Sequence, residues 1–485
     1  MPSKLALLFG AIFVYYAFRS DRKRDIGDTS GLFWPTLWYM VVASRPVGIW
    51  MSIWNIPMPG GGGGDMEGSP IDRYFYAALT VIGLKILASR RFDWGGTFRR
   101  NPWITAWIVY MAISIIWSHY PFISFKRFIK VIGSIVMAMV ILSNDRPLDG
   151  LTTVLRRVLY VHLPMSIICT RYFRDIGVTF EFDGGVEFWC GIATSKNTLG
   201  QVTMLGVLYF FWEVRRHWAE YKWKNLHLLY LLMALFLLKG SDAAISLTSV
   251  SVCIFSMLIL LRLQSFRSRP ALVGPFVRTI FGITVGFISF VVCHSVANFS
   301  ADSIFGHMIR MFGRDITLTG RTGIWTDVYA AANSNPLLGV GFGGFWIGRI
   351  ANIPWNAHMT WVLGQAHSGY VDNYLQLGLI GTLLLIGVLF SAVPQLINSV
   401  TEDFDFGCFR ITLFLTILFI NITESVYLRG DHHLWLLFMV VLWTVPMKRP
   451  LAQATSTTDE TSVPEPDPAV FSVPAGPSLH WRENQ

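Results

Sequence analysis

His367 stands where a polar stretch meets an apolar one. It begins the run Ala366-His367-Ser368-Gly369-Tyr370, and from Gly381 to Ala392 the chain is almost purely apolar. An imidazole titrates near neutrality and can accept a proton from a hydroxyl group. Upstream, Gly320-Arg321-Thr322-Gly323-Ile324-Trp325 offers a guanidinium in the same polar stretch. Its planar fork matches a phosphate or pyrophosphate in bidentate fashion. A proton acceptor and a fixed cation at a membrane boundary suit chemistry on a phosphate-bearing lipid.

Further residues could bind such a substrate. Trp325, Tyr370 and Tyr374 flank the pair, and Arg310, Arg314 and Arg349 share the loop with Arg321. Arg174, with Arg171, lies in a second polar loop that ends at Lys196 and Asn197. Arg127 follows Lys126 at the start of an apolar run; it either binds substrate or snorkels to lipid phosphates. Plainer roles compete for the central pair as well. An interfacial histidine often only caps a helix, and an arginine at a helix start is often a solvated charge. Here Ser368 can cap the helix that follows His367, and Gly378 and Gly381 would let another helix approach closely.

The elements that carry these residues follow from composition. The chain has 485 residues, of which 53% are hydrophobic and 14% charged. Soluble domains carry roughly 25% charged residues, so the deficit points to a membrane protein. The mean hydropathy of +0.48 agrees, and 19 Trp and 16 Tyr suit aromatic belts at the two interfaces. Apolar stretches fall near 4–18, 33–55, 73–89, 102–118, 127–143, 151–169, 198–214, 226–240, 243–261, 273–295, 372–396, 408–423 and 433–447. The expectation is an all-α polytopic bundle of about 12–14 spans, divided into N-terminal spans (1–295), a large partly helical external loop (296–371), C-terminal spans (372–450) and a disordered cytoplasmic tail (451–485).

The net charge of +9 could suggest nucleic acid, but its distribution does not. Arg22 to Arg24, Arg90-Arg91, Arg99-Arg100, Arg215-Arg216 and Arg262 to Arg269 sit in short runs between apolar segments. That is the pattern of cytoplasmic loops, and it leaves 171–196 and about 298–371 outside. Within the larger loop, Thr322 to Ala332 reads as an amphipathic helix with Ile324, Val328 and Ala331 on one face. Thr319 caps it, and Asn333-Ser334-Asn335-Pro336 ends it. Gly339 to Phe345 reads as a flexible turn.

Other features imply less. Cys169 and Cys190 flank one external loop, where they either pair or remain free thiols. No Cys/His spacing suggests zinc. Asp403-Phe404-Asp405 is a literal Asp-x-Asp, yet it lies in a short turn without a nucleotide-binding pattern and reads as solvated loop. The apolar start, Leu5 to Phe18, lacks a cleavage site and reads as a retained span.

In their order along the chain, these motifs resemble the bacterial O-antigen ligase and O-antigen polymerase family, most of all its succinoglycan-type exopolysaccharide polymerase branch. His367, Ser368, Gly378 and Gly381 match the family's histidine signature, and Gly320-Arg321-Thr322 with Trp325 matches its arginine motif. Pro336 to Gly343, Ser44-Arg45-Pro46 with Trp50, Gly68 to Pro70, and Lys196 to Gly200 match the branch. The resemblance implies a metal-independent membrane glycosyltransferase of the polyprenyl-donor type (GT-C-like), without cofactor. It would sit in the bacterial inner membrane with its active site on the periplasmic side. Its donor would be an undecaprenyl-pyrophosphate-linked glycan and its acceptor a glycan or lipid, polymerase being favoured over lipid A-core ligase; polysaccharide-assembly proteins are conceivable partners. His367 would activate the acceptor hydroxyl and Arg321 would hold the pyrophosphate. One departure matters: many members carry an arginine where this chain reads Lys239-Gly240-Ser241-Asp242-Ala243. Lys239, Arg127 and Arg174 are the alternatives for a second cation. A membrane transporter of an anion or small solute is the competing reading; it calls for broken helices and charges near mid-bilayer.

Overall fold

The computed structural model describes residues 2–21, 30–56, 69–144, 146–180, 187–218, 221–241, 244–296, 321–347 and 364–446. The glycine-rich linker at 59–65, most of the external loop and the tail therefore lie outside the described residues. The helices are α1 (Ser3–Asp21), α2 (Phe33–Ala43), α3 (Val47–Ile53), α4 (Pro70–Ser89), α5 (Trp94–Arg100), α6 (Pro102–Ser114), α7 (Pro121–Leu142), α8 (Pro147–Tyr172), α9 (Arg174–Gly177), α10 (Lys196–Arg216), α11 (Tyr221–Gly240), α12 (Ala244–Ser265), α13 (Val273–Val296), α14 (Arg321–Ala332), α15 (Gly369–Glu402), α16 (Phe404–Ile420) and α17 (His433–Leu442). Each apolar stretch read from the sequence lies wholly or largely in helix. A short antiparallel hairpin, β1 (Val178–Phe180) against β2 (Glu187–Trp189), pairs Thr179 with Phe188.

Local chemistry sets many helix starts. Ser69 accepts from Ile71 N, Asp93 from Gly96 N, Ser195 from Thr198 N and Asp403 from Phe406 N. Proline occupies the first turn of α4, α6, α7 and α8, where its missing N–H costs nothing.

Two described helices are long and apolar enough to cross a membrane, Pro270–Val292 (which includes a preceding short turn) and Gly369–Glu402. Five more apolar helical stretches are shorter. Many helices also show large apolar side chains on their outer faces: Leu8, Phe9 and Ile12 on α1, Val81 and Leu84 on α4, Leu232 and Phe236 on α11, Leu258 on α12, Leu383 and Phe390 on α15. Apolar surface on this scale is costly in water and suits a hydrocarbon surround.

The helices sort the charges by end. α10 is capped by Ser195 and ends at Arg216, which lies 3.8 Å from Asp403 at the start of α16. Arg267 forks onto both carboxylate oxygens of Asp405 at 2.9 and 3.0 Å. The Asp-x-Asp is thus a helix cap and an ion-pair partner. The opposite end carries the site.

Candidate active site

The site is built around a break in α15. Gly378 has φ 61° and ψ −159°, conformations open to glycine, and the helix is two pieces joined there. A break leaves carbonyls and N–H groups unpaired, and the stretch after Pro336 takes them up. Val340 N donates to Leu375 O at 3.0 Å and Gly341 N to Gln376 O at 3.0 Å; in return Leu379 N donates to Pro336 O at 2.9 Å and Ile380 N to Leu337 O at 3.2 Å. A Cβ on Gly378 would meet backbone atoms of Leu337 and Gly339 at 2.5 Å. The two glycines of the histidine signature do not serve a neighbouring helix: Gly378 makes the break, and Gly381 lies under Leu377 of its own helix.

That plug corrects the expectation of a flexible turn. Residues 339–347 are buried and bonded from several sides. Gly343 N donates to Gln376 Oε1 at 2.8 Å, and Arg127 Nη1 donates to Gly343 O at 2.7 Å. Trp346 Nε1 reaches Asp372 Oδ1 at 2.7 Å. Asp372 also accepts from Ala366 N at 3.0 Å and from the Ser425 hydroxyl, so one buried carboxylate holds the chain just before His367.

α14 fixes the same point from another side. Ile324, Trp325, Val328 and Ala332 pack with Ala366, Val371 and Leu375 in a small core of their own. Trp325 is 1% exposed, and its indole N–H donates to Ala366 O at 2.8 Å. Arg321 opens α14 about one turn before Trp325, a rise of about 5.4 Å; its side chain lies outside the described residues, as do Arg310, Arg314, Thr319 and Arg349.

His367 itself has φ 53°, a left-handed backbone that histidine adopts more readily than most residues. Such conformations collect at functional sites. Its ring is 17% exposed. Nδ1 lies 3.2 Å from Gln365 Nε2 and 3.9 Å from Glu424 Oε2. Gln365 Nε2 also donates to Glu424 Oε2 at 3.3 Å, and Arg429 Nη1 donates to Gln365 Oε1 at 2.7 Å. Asn197 Nδ2 donates to Glu424 Oε1 at 3.2 Å. Ser368 stands at the N-cap position, but its hydroxyl donates to Asn421 O at 3.3 Å instead of capping.

Beside Gln365 opens a cavity of about 680 Å3. Its wall carries Arg73, Lys126, Arg127, Lys130 and Arg429, with Asp72, Asp372 and Asp431. Asp431 is held down at about 2: desolvation opposes its charge, but Arg429, Lys130, Arg127 and His432 outweigh it. Burial pushes His432 down to about 3, and Arg429 adds to the shift. Asp431 therefore stays ionised and His432 neutral near pH 7, and the five basic side chains of the wall outnumber its three carboxyl groups.

The remaining candidates separate. Arg127 lines the cavity; Thr194 and Thr198 line it beside Lys196 and Asn197. Lys196 Nζ sits over the Phe188 ring, and Arg174 pairs with Glu187 on the hairpin. Tyr370 donates to Leu418 O at 2.8 Å and Tyr374 to Asn333 Oδ1 at 3.2 Å, so both hydroxyls and the Trp325 indole are committed to the protein. Of the three alternatives for a second cation, Arg127 alone lines the cavity. Sequence reading missed Gln365, Glu424, Arg429 and Asp431, which come together only when the segment after α16 folds back on His367. The acidic and basic residues of that segment, in an otherwise apolar stretch, were the available signal. Cys169 and Cys190 are free thiols. Among the described residues no group of three His, Cys, Asp or Glu could hold a metal ion.

Two known proteins or families are similar in sequence to this chain. A family described as O-antigen ligase matches residues 226–386, which include Arg321, His367 and the Gly378 break. The exopolysaccharide production protein ExoQ of Rhizobium meliloti (strain 1021) is 27% identical over 318 residues, covering 64% of this chain and 68% of the relative. In sequence the chain thus resembles membrane proteins of the O-antigen ligase and polymerase family, near its exopolysaccharide branch.

Proposed function

We propose that the protein transfers or polymerises an undecaprenyl-pyrophosphate-linked glycan on the periplasmic face of the bacterial inner membrane, within a bundle of about 12–14 spans. The observation that carries this reading is the juxtaposition of His367, with Glu424 behind it, and a cavity walled by five cationic side chains. The acceptor hydroxyl oxygen attacks the anomeric carbon of the donor. The bond from that carbon to the pyrophosphate oxygen breaks, and its electron pair leaves with undecaprenyl pyrophosphate. The hydroxyl proton passes to His367 and then to water; Glu424 steadies the imidazolium. Arg321 and the cavity cations offset the charge that grows on the leaving pyrophosphate. A histidine base and organic cations suffice for these steps, so no metal is required.

Polymerase is favoured over ligase, because the relative acts in exopolysaccharide production. The test is transfer from purified undecaprenyl-pyrophosphate glycan, with chelator present, to a lipid-linked repeat or to lipid A-core. Transfer to neither acceptor would overturn the reading. The broken α15 is a feature that suits a transporter. However, its freed carbonyls at Leu375 and Gln376 are already taken by Val340 and Gly341, leaving them occupied rather than open to an ion.

A further inference from the structure

The side-chain amide of Gln365 has three neighbours, and they fix its orientation. Arg429 Nη1 lies 2.7 Å from Oε1; Glu424 Oε2 and His367 Nδ1 lie 3.3 and 3.2 Å from Nε2. A guanidinium only donates, so it must face the amide oxygen. An ionised carboxylate only accepts, so it must face the amide NH2. A flipped amide would oppose two donors at Arg429 and two acceptors at Glu424. The NH2 group cannot accept a hydrogen bond, so His367 Nδ1 must. A neutral imidazole that accepts at Nδ1 carries its proton on Nε2.

This tautomer cannot perform the step assigned to His367. Nδ1 is occupied by Gln365, which leaves Nε2 for the acceptor hydroxyl, and a protonated Nε2 donates. The carboxylate that would favour the other tautomer is close, with Glu424 Oε2 3.9 Å from Nδ1. The Gln365 NH2 group lies between them and bonds to both. What holds Gln365 there is Arg429, whose side chain is 39% exposed and lines the cavity. A pyrophosphate entering the cavity competes for that guanidinium, which also lies 3.9 Å from Asp431, and a charge-assisted fork to phosphate is stronger than its bond to the neutral amide.

We propose that Gln365 is a positioning residue that keeps His367 in its Nε2–H form until the pyrophosphate of the donor captures Arg429. With Arg429 withdrawn, Gln365 loses its anchor and swings out. Water delivers a proton to Nδ1 and removes the one on Nε2, with no net change. Glu424 then accepts from Nδ1–H, and Nε2 becomes the base. The base is thereby armed by donor binding, which protects the site from idle proton transfer and donor hydrolysis. The inference rests on the proposed function, but its test does not use glycan transfer.

The experiment is 15N NMR of histidine-labelled full-length protein in lipid nanodiscs above pH 8, with the His367 signals identified by their loss in His367→Gln. The probe is inorganic pyrophosphate, its binding followed by calorimetry. The resting protein should show a protonated Nε2 and a bare Nδ1, and saturating pyrophosphate should exchange the two. Arg429→Gln, which removes the anchor on Gln365, should show Nδ1–H already at rest and no further change with pyrophosphate. Gln365→Leu should show Nδ1–H without pyrophosphate; a purely structural Gln365 would lower the melting temperature and leave the tautomer alone. A wild-type protein already Nδ1–H at rest, one that stays Nε2–H with pyrophosphate bound, or one that binds no pyrophosphate overturns the proposal. If the switch occurs but no glycan is transferred to either acceptor, the proposed function fails and the switch stands.

Discussion

Val340 N donates to Leu375 O across 3.0 Å, so an irregular loop completes the hydrogen bonding of a broken helix. This contact joins two motifs that lie apart in the chain, the Pro336–Gly343 stretch and the histidine signature. It explains why both are rich in glycine. Gly339 and Gly378 approach so closely that a Cβ on either would meet the other's backbone nitrogen at 2.5 Å.

Gly378→Ala should therefore destabilise the protein and impair transfer. The left-handed backbone alone costs about 1–3 kcal/mol for a residue with a side chain, and the clash adds to it. Gly339→Ala should behave alike, since its φ is 76°. Thermal unfolding in detergent, followed by the transfer assay on the folded fraction, measures both effects; unchanged melting in both variants would contradict the account of the break.

His367→Ala should remove transfer while leaving melting nearly unaltered, because the ring makes one hydrogen bond among the described residues, to Gln365. Loss of a positioned base typically costs about 10²- to 10⁴-fold in rate. Glu424→Gln should cost less, since it removes only support for the imidazolium. Single-turnover rates with bound donor separate the two variants, and an Ala variant as fast as wild type refutes the assigned base.

Arg127→Lys keeps the charge but not the fork. The guanidinium donates to Gly343 O at 2.7 Å and to Trp346 O at 3.4 Å while lining the cavity. The substitution should lower stability by about 2 kcal/mol, the scale of a charge-assisted bond. It should also raise KM for the donor more than it lowers kcat. Donor titrations at fixed acceptor reveal the split.

Stability should decline in acid in two windows. His432 is depressed to about 3, so between about 6.5 and 3 the unfolded chain binds a proton that the folded chain refuses. Stability is full above that window and falls through it. Asp431, depressed to about 2, contributes stability above about 3.9 that is lost only as pH falls towards 2. His432→Asn retains a capping group for Leu434 N, which His432 Nδ1 now accepts at 3.2 Å, and removes the titration. Melting curves from pH 7 to 4 should be flatter for this variant.

The helical bundle and the amphipathic helix ending at Ala332 were legible in the sequence, because apolar runs, prolines at first turns and capping residues act over a few neighbours. His367 was legible for the same reason: its polar flank and the apolar run after Gly381 are contiguous. The break at Gly378 was not, since a glycine in an apolar run suits a close helix contact as well as a left-handed turn; only the docking of Leu337 and Gly339 decides between them. Nor were the groups around the imidazole. Glu424 and Arg429 reach it through Gln365 across 59 and 64 residues of chain. Nothing in their local spacing records that approach, because a hydrogen bond depends on where the intervening helix places its ends, and that is settled by the packing of the whole bundle.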